Sequence, residues 1–487
     1  MSQEQTGTPT RRDFLQGGLG VAGTMLAAPL SGFAAPQEKP ERPNLIFIYT
    51  EGQRADALSI AGHPFLKTPN MDRTGREGMR FTNAFCTNAL CAPARSTALT
   101  GLYSKTTGAL DNKGANVPLP SDIPIFTDLL HEAGYEVAIV GKVHVRNGVR
   151  ERYWDYYFGF NAPATNYYNP RFREGRKGVV GEELIYKNSY ADDLATDRAL
   201  AWLNEKREKP FCLLLWLQTP HAPFYRPRRY LDLYSNVTIP KPATFDDDLK
   251  GYPGKPKAFV EAENKIGTTV TSDAVRSLDE LAKDYYAGLV DVDDNIGRIY
   301  EYLEKSGQLN ETAILQTSDH GYFLGEWRCF DKRFMHEPSI RVPMMLRYPK
   351  RIKPGVVRED MILDIDIAPT ILDFAGIEKP EHMQGKSILK LAEADDPDWR
   401  KDWFYDYYEY PGNEQVRPHR GIRTERYKLI HYYLEPQEFE LYDLALDPGE
   451  TNNLYGNSAQ AELQQRLLAR LQALRFEIPE RPVSPAT

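Results

Sequence analysis

Short runs of consecutive apolar residues recur along the chain. Between them, apolar positions come every three or four residues. The runs Leu45–Tyr49, Val137–Val140, Phe211–Leu217 and Ala313–Gln316 read as strands buried on both faces. The intervening stretches read as helices. The clearest spans Leu281 to Lys305, where Leu281, Tyr285, Leu289, Val292, Ile296, Ile299 and Leu303 share one face. This alternation predicts an α/β domain with a mostly parallel sheet flanked by helices. Asp291, Asp293 and Asp294 lie on the long helix without the glycine turn or terminal glutamate of a calcium loop, so they read as a solvated polar face. The aromatic, turn-rich Tyr153–Tyr168 reads as a long loop, and the Pro-, Lys- and Asp-rich Ser235–Ser272 as a surface insertion. Near Ala394–Trp399 the texture changes. Strand-like runs follow at Trp403–Tyr408, Gly421–Tyr433 and Glu438–Leu444, then a leucine-bearing helix from about Ala459 to Phe476. These predict a small C-terminal antiparallel sheet with one helix. The expected division is 40–392 for the large domain and 393–487 for the small one.

The first 35 residues stand apart. Arg11 and Arg12 precede a weakly apolar Gly/Ala-rich run, then Gly32-Phe33-Ala34 and Pro36. This is the layout of a cleaved export signal of the twin-arginine type. It implies the twin-arginine export machinery as a partner and a periplasmic or secreted destination. No later segment is long and apolar enough to serve as a membrane anchor.

Composition narrows the class. The 487 residues are 41% hydrophobic and 26% charged, which is globular and not disordered. The net charge of −8 argues against a nucleic-acid binder that relies on an overall positive field. Four cysteines, Cys86, Cys91, Cys212 and Cys329, are too few for a disulfide scaffold.

Polar residues gather just past the predicted strands, where ligands bind in open α/β sheets. Thr50-Glu51-Gly52 follows the first run, Gly141-Lys142-Val143-His144 the second, Gln218-Thr219-Pro220-His221 the third and Ser318-Asp319-His320-Gly321 the fourth. Any one of these could be structural; together they favour a metal and anion site. A fifth element reads Cys91-Ala-Pro93-Ala-Arg95-Ser96-Thr-Ala-Leu-Thr100-Gly101. Pro93 suits a first helical turn and Gly101 a helix end, which puts Cys91 at a helix N-terminus, where an anion is favoured. With Arg95 one turn on, an unmodified Cys91 would be a reactive thiolate.

The spacing Cys91-x-Pro93-x-Arg95, with Ser96 and Thr100-Gly101, resembles the signature of the type I sulfatases, in which the cysteine is oxidised to formylglycine. The resemblance extends to Pro43-Asn44, Gly141-Lys142-x-His144, Pro220-His221-x-Pro223, Ser318-Asp319-His320-Gly321, and Lys332 ahead of Arg341-Val342-Pro343. It continues through Arg420–Leu429, Leu441–Leu444 and Asp447-Pro-x-Glu450. It implies the alkaline-phosphatase-like α/β fold and the hydrolysis of sulfate esters. It also implies a formylglycine-generating enzyme as a partner. Residue by residue, it implies that Cys91 becomes the nucleophile and a metal ligand, and that Arg95 holds the diol. Lys142 and Lys332 would bind sulfate oxygens, His144 would deprotonate the second hydroxyl, and His221, with Lys332, would protonate the leaving oxygen. The chemistry has a physical rationale. One hydroxyl of a hydrated aldehyde attacks sulfur, and deprotonation of the other lets the aldehyde re-form and expel sulfate, which a serine or thiol cannot do.

One departure stands out. Most members carry Asp-Asp after the first strand, where this chain has Glu51-Gly52. The second pair is Asp319-His320 where many have Asp-Asn. The cage implied is Glu51, Asp319, His320 and the modified Cys91. The family implies calcium; fewer carboxylates and an imidazole bring in manganese or magnesium as alternatives. Arg226, Arg228 and His419 are candidate substrate contacts, with Arg229, Arg417 and Arg420 nearby, for a sulfated saccharide or polysaccharide. Glu337 and Arg341 have the i,i+4 spacing of a structural pair. Two other readings compete: a phosphonate monoester hydrolase or phosphodiesterase on the same fold, and a non-catalytic glycan-binding homologue.

Overall fold

The computed structural model describes residues 42–112, 119, 122–145, 149–246, 249, 255–266, 276–412 and 414–481. The export signal expected over residues 1–35 lies outside the described residues. Ten strands form one sheet: β1 Asn44–Thr50, β2 Met79–Phe85, β3 Glu136–Lys142, β4 Tyr156–Phe160, β5 Arg171–Arg176, β6 Val179–Ile185, β7 Phe211–Trp216, β8 Thr312–Ser318, β9 Arg341–Arg347 and β10 Val356–Leu363. Their order is β10-β2-β9-β8-β1-β7-β3-β4-β5-β6. The block β8-β1-β7-β3-β4 is parallel, and antiparallel pairs flank it on both sides, so the sheet is mixed. The four strands read from sequence are the central ones, which helices cover on both faces. Along β1 the side chains alternate as a pleated strand requires. Phe47 and Tyr49 enter one apolar core and Ile46 and Ile48 the other.

Four helices position or flank the site: α1 Pro69–Arg76, α2 Cys91–Thr100, α3 Leu278–Lys305 and α4 Ala461–Glu477. The small sheet has strands β11 Asp402–Tyr407, β12 His419–Thr424, β13 Tyr427–Tyr432 and β14 Glu438–Asp443, paired antiparallel in that order. Leu467, Leu471 and Leu474 of α4 pack on Phe404, Ile422, Leu429 and Leu441 of this sheet. The run read as Gly421–Tyr433 is two strands, because the chain turns at Glu425-Arg426.

The structure corrects several expectations. Tyr153–Tyr168 is not only a loop: Tyr156–Phe160 pairs with β3 and is buried throughout, its aromatic residues filling both cores. Asp291 and Asp293 are not solvated. Asp291 is buried and paired with Arg229. Asp293 accepts from Met71 N at 2.7 Å and from Asn70 N and Nδ2 at 3.2 and 2.9 Å, tying the long helix to the first turn of α1. Helix amphipathicity misjudges such positions because a carboxylate can be buried where it satisfies another helix's free N–H groups. Nor is the 235–272 stretch purely superficial. Lys255 is buried, and its Nζ lies 2.7 Å from Tyr442 Oη, 2.9 Å from His336 Nε2 and 3.1 Å from Glu440 Oε2. This fastens the insertion to the small sheet. It also accounts for His336, which closes a buried ion network there. Finally, Glu337 and Arg341 do not pair. Glu337 binds Lys428 at 2.9 Å and Arg423 at 3.1 Å, while Arg341 Nε donates to Thr82 O at 2.8 Å. The helix ends at Ile340, so i,i+4 geometry never forms.

Among the described residues no helix is long and apolar enough to cross a membrane.

Candidate active site

β8, β1, β7 and β3 are neighbours and parallel, so their carboxyl ends reach one edge together. Thr50 lies opposite Ser318, Tyr49 opposite Trp216, and Trp216 opposite Gly141. Each chain then delivers its polar residues to the same place: Glu51 after β1, Lys142 and His144 at the end of β3, His221 after β7, Asp319 and His320 after β8. From the opposite direction comes α2, whose first residue is Cys91 with Leu90 as its cap. Gly101 ends the helix in the left-handed conformation at φ 67°, as expected of glycine there.

Glu51 sits at the centre. Cys91 Sγ donates to Glu51 Oε1 at 2.7 Å, and Lys142 Nζ lies 2.8 Å from Oε2. Arg95 Nη2 donates to Oε2 at 2.6 Å. His320 Nε2 is 3.4 Å from Oε1 and His221 Nε2 3.8 Å. Burial would drive this carboxyl up, but Lys142 and Arg95 prevail and hold it well below the usual carboxylate range. Arg95 binds more than Glu51. Its Nε donates to Asp319 Oδ2 at 3.2 Å and its Nη1 to Lys142 O at 2.7 Å, so all three nitrogens brace the two carboxylates and the end of β3. Its guanidinium lies about 5 Å from the Tyr49 and Trp216 rings. In this geometry it positions the two carboxylates.

The Cys91 thiol is pushed up by burial and by Glu51, but Lys142, Lys332 and a hydrogen bond with His144 outweigh both and hold it well below its ordinary value. The environment therefore favours an anion at residue 91. Burial pushes His144 down to about 4, so it is a neutral imidazole beside the sulfur. His221 is likewise lowered, by burial and by Lys142 and Lys332. Lys332 is held above its ordinary value: burial opposes its charge, but Asp331, 3.3 Å away, and Cys91 sustain it.

Glu51, Cys91, Asp319 and His320 present ligand atoms within 4.8 Å of one another, a span that one divalent ion can bridge. The donor set fits a cation. His320 Nδ1 lies 2.8 Å from Gly321 O; donation to that carbonyl leaves the Nε2 lone pair facing Glu51 and Cys91. Burial and the neighbouring Glu51 push Asp319 up to about 7, and Asp319 in turn raises His320 to about 10, as expected where protons must stand in for a metal charge. Gly52 explains the departure from Asp-Asp. It adopts φ +75°, its N–H donates to Asp319 Oδ1 at 3.0 Å, and a Cβ there would meet Tyr322 Cδ2 at 3.2 Å and His320 Cε1 at 3.4 Å. The space that a second carboxylate would need is crowded first by the Tyr322 ring and then by the imidazole.

The side chains of the cluster differ in exposure. Glu51, Arg95, Lys142, Asp319 and His320 are fully buried, whereas His221 is 14% and Lys332 6% exposed. Two residues that sequence reasoning misses flank Lys332. Arg333 Nη2 lies 2.8 Å from Glu414 Oε2, in the loop between β11 and β12, and pairs with Asp331. Asp331 and Arg333 take φ of 83° and 90°, which aims three successive charged side chains into one corner. No motif marks them; only adjacency to Lys332 could have. Tyr167 also carries no sequence signal: its Oη donates to His221 O at 2.6 Å and fixes that loop.

Two of the three expected outer contacts are taken up within the fold. Arg226 is neutralised by Asp284 and donates to Leu233 O at 2.9 Å. Arg228 is exposed and lies over the Tyr168 ring. His419 is fully buried among Tyr405, Tyr407, Tyr432 and Phe334, which push it down to about 4. A histidine at a strand start reads like a ligand in sequence; here it fills an aromatic core.

Residues 43–377 match the sulfatase family model, and residues 325–477 match the C-terminal model of N-sulphoglucosamine sulphohydrolase. An N-acetylglucosamine-6-O-sulfatase of Bacteroides thetaiotaomicron is 36% identical over 92% of this chain and 89% of that protein. The multifunctional alkaline phosphatase superfamily protein PehA of Trinickia caryophylli is 30% identical over 87% of this chain and 93% of its own. A solved structure in complex with its substrate D-glucosamine-2-N,6-O-disulfate superposes with a TM-score of 0.82 at 34% identity, covering 90% of this chain and 98% of that one. The family match covers most of the chain, and the fold and the residues around Cys91 agree with it: the chain belongs to the sulfatase family, a group of sulfate-ester hydrolases on an alkaline-phosphatase-like fold.

Proposed function

We propose that the protein is exported and hydrolyses sulfate esters on a sulfated saccharide, with a 6-O-sulfated glucosamine as the substrate unit, through a formylglycine made from Cys91. One observation carries this reading. The residue-91 side chain belongs to a four-residue cluster able to hold a cation, and Lys142, Lys332, His144 and His221 act on the same side chain. The sugar is suggested by the relatives that act on 6-sulfated glucosamines, with the buried cluster of Asp331, Arg333 and Glu414 beside Lys332 as the candidate contact for ring hydroxyls.

In this reading the residue-91 aldehyde is hydrated to a diol. Lys142 and Lys332 hold the sulfate oxygens and offset charge as one hydroxyl passes its proton to the Asp319 carboxylate, its oxygen bonds to sulfur and the ester S–O bond breaks. The alcohol leaves with a proton from the His221 and Lys332 side. The sulfate's negative charge offsets the two lysines that otherwise hold His221 down. Neutral His144 then takes the proton of the remaining hydroxyl, the carbon–oxygen bond to sulfate breaks, and the aldehyde returns. A divalent cation held by Glu51, Asp319, His320 and residue 91 would lower the diol pKa and neutralise sulfate charge. Arg95 keeps both carboxylates in place throughout.

The test is a comparison of turnover on glucosamine sulfated at 6-O, at 3-O or at nitrogen, with a phosphonate monoester alongside. The 6-O-sulfate is expected to be cleaved at least about tenfold faster than the others, the scale of about 1.4 kcal/mol in transition-state binding. Faster turnover of the phosphonate ester would overturn the assignment and make Glu51-Gly52 the mark of a phosphonate hydrolase.

A further inference from the structure

A cavity of about 610 Å³ opens between the large sheet and the 448–451 segment that follows β14, and none of Glu51, Cys91, Lys142, His221, Asp319 or Lys332 lines it. Its volume is that of a ligand pocket. Four carboxylates line it, and each has a cationic partner. Asp56 and Glu326 hold Arg54 at 2.8 and 2.6 Å. Glu337 binds Arg423 and Lys428, and Glu450 binds Lys428 at 2.6 Å. Two arginines on the same wall have no carboxylate among the described residues. Arg341 donates to the Thr82 carbonyl. Arg80 has a buried Nε with no hydrogen-bond partner among the described residues. Arg80 thus brings an uncompensated guanidinium to the cavity wall, and an anion in the cavity would pair with its outer nitrogens. Pro338 and Pro343 line the same cavity and supply apolar surface. A ligand that fits both features carries an anionic group on a ring body.

We infer that this cavity is an accessory site for the sulfate group of a saccharide, bound by Arg80 and Arg341, which holds a longer sulfated chain away from the catalytic centre. The inference rests on the saccharide reading of the catalytic site. It adds a second place where such a chain is held, and it predicts that chain length matters to the enzyme beyond what the catalytic pocket touches.

The experiment is calorimetric titration of the full-length, metal-loaded Cys91→Ala protein, which cannot consume its ligand, with a 6-O-sulfated glucosamine-containing hexasaccharide. Two binding sites are expected, and one in Cys91→Ala/Arg80→Glu. In the protein with an intact Cys91, Arg80→Glu is expected to raise KM for the hexasaccharide at least fivefold and to leave kcat/KM for the 6-O-sulfated monosaccharide unchanged. A single site in the Cys91→Ala protein, or two sites that survive Arg80→Glu, would overturn the inference. So would Arg80-dependent binding of inorganic sulfate as tight as that of the hexasaccharide, since the ligand would then be the free anion. Loss of all turnover on saccharides would count against the proposed function instead, while the number of binding sites would still report on the cavity.

Discussion

Cys91→Ala is expected to lower sulfate release by about 10⁴-fold or more while the protein keeps its fold. Loss of a nucleophile that acts in concert with its neighbours typically removes nearly all chemistry beyond binding. The fold should survive because Cys91 contributes one small buried side chain at the first position of a ten-residue helix. Alanine is a good helix former, and Glu51 keeps Arg95 and Lys142 as partners without the sulfur. Circular dichroism and a urea midpoint close to that of the parent protein would confirm this, measured beside turnover. Retained turnover would remove residue 91 from the mechanism.

Glu51→Gln should have the second largest effect, and of a different kind. It keeps the shape but deletes the charge that Arg95, at 2.6 Å, and Lys142, at 2.8 Å, share in a fully buried site. Breaking one member of a buried ion network costs about 3–5 kcal/mol, because the remaining charges are left without compensation. We expect the apo protein to lose about that much stability by urea unfolding. Metal content by elemental analysis should fall well below one per chain, since one of two carboxylates in the cage is gone. Glu51→Asp should recover most of the stability but not the activity, because the shorter arm moves the carboxylate away from residue 91. Unchanged stability and full metal content in Glu51→Gln would contradict the placement of Glu51 at the centre.

The central strands are legible in the sequence because buried parallel strands are uninterrupted apolar runs, and their ends carry the site with them. Glu51, Lys142, His144, His221, Asp319 and His320 follow from where a strand stops. The long helix is legible from its apolar face, although that face alone places its start too late. Ser277 and Glu280 form a capping box, with Ser277 Oγ accepting from Glu280 N at 3.2 Å, and place the first turn at Leu278. What stays hidden depends on long-range partners. Arg95 follows the motif spacing, but its bonds to Glu51, Asp319 and the Lys142 carbonyl exist only once three strands are side by side. Asp293 and Lys255 look like surface charges because their partners are far away in sequence, in other elements. His419 and Arg226 have the composition of ligands and the surroundings of structure. Asp331 and Arg333 lack any periodicity, since left-handed backbone on either side of Lys332 sets their direction.

The most direct test ties chemistry to residue 91 by amount. Preparations that differ in the fraction of residue 91 present as aldehyde, weighed by peptide mass spectrometry, would be assayed for inorganic sulfate released from 6-O-sulfated glucosamine. The account predicts a rate proportional to the aldehyde fraction and passing through zero when only cysteine is present. A rate independent of that fraction, or no release from fully converted, metal-loaded protein, would contradict it.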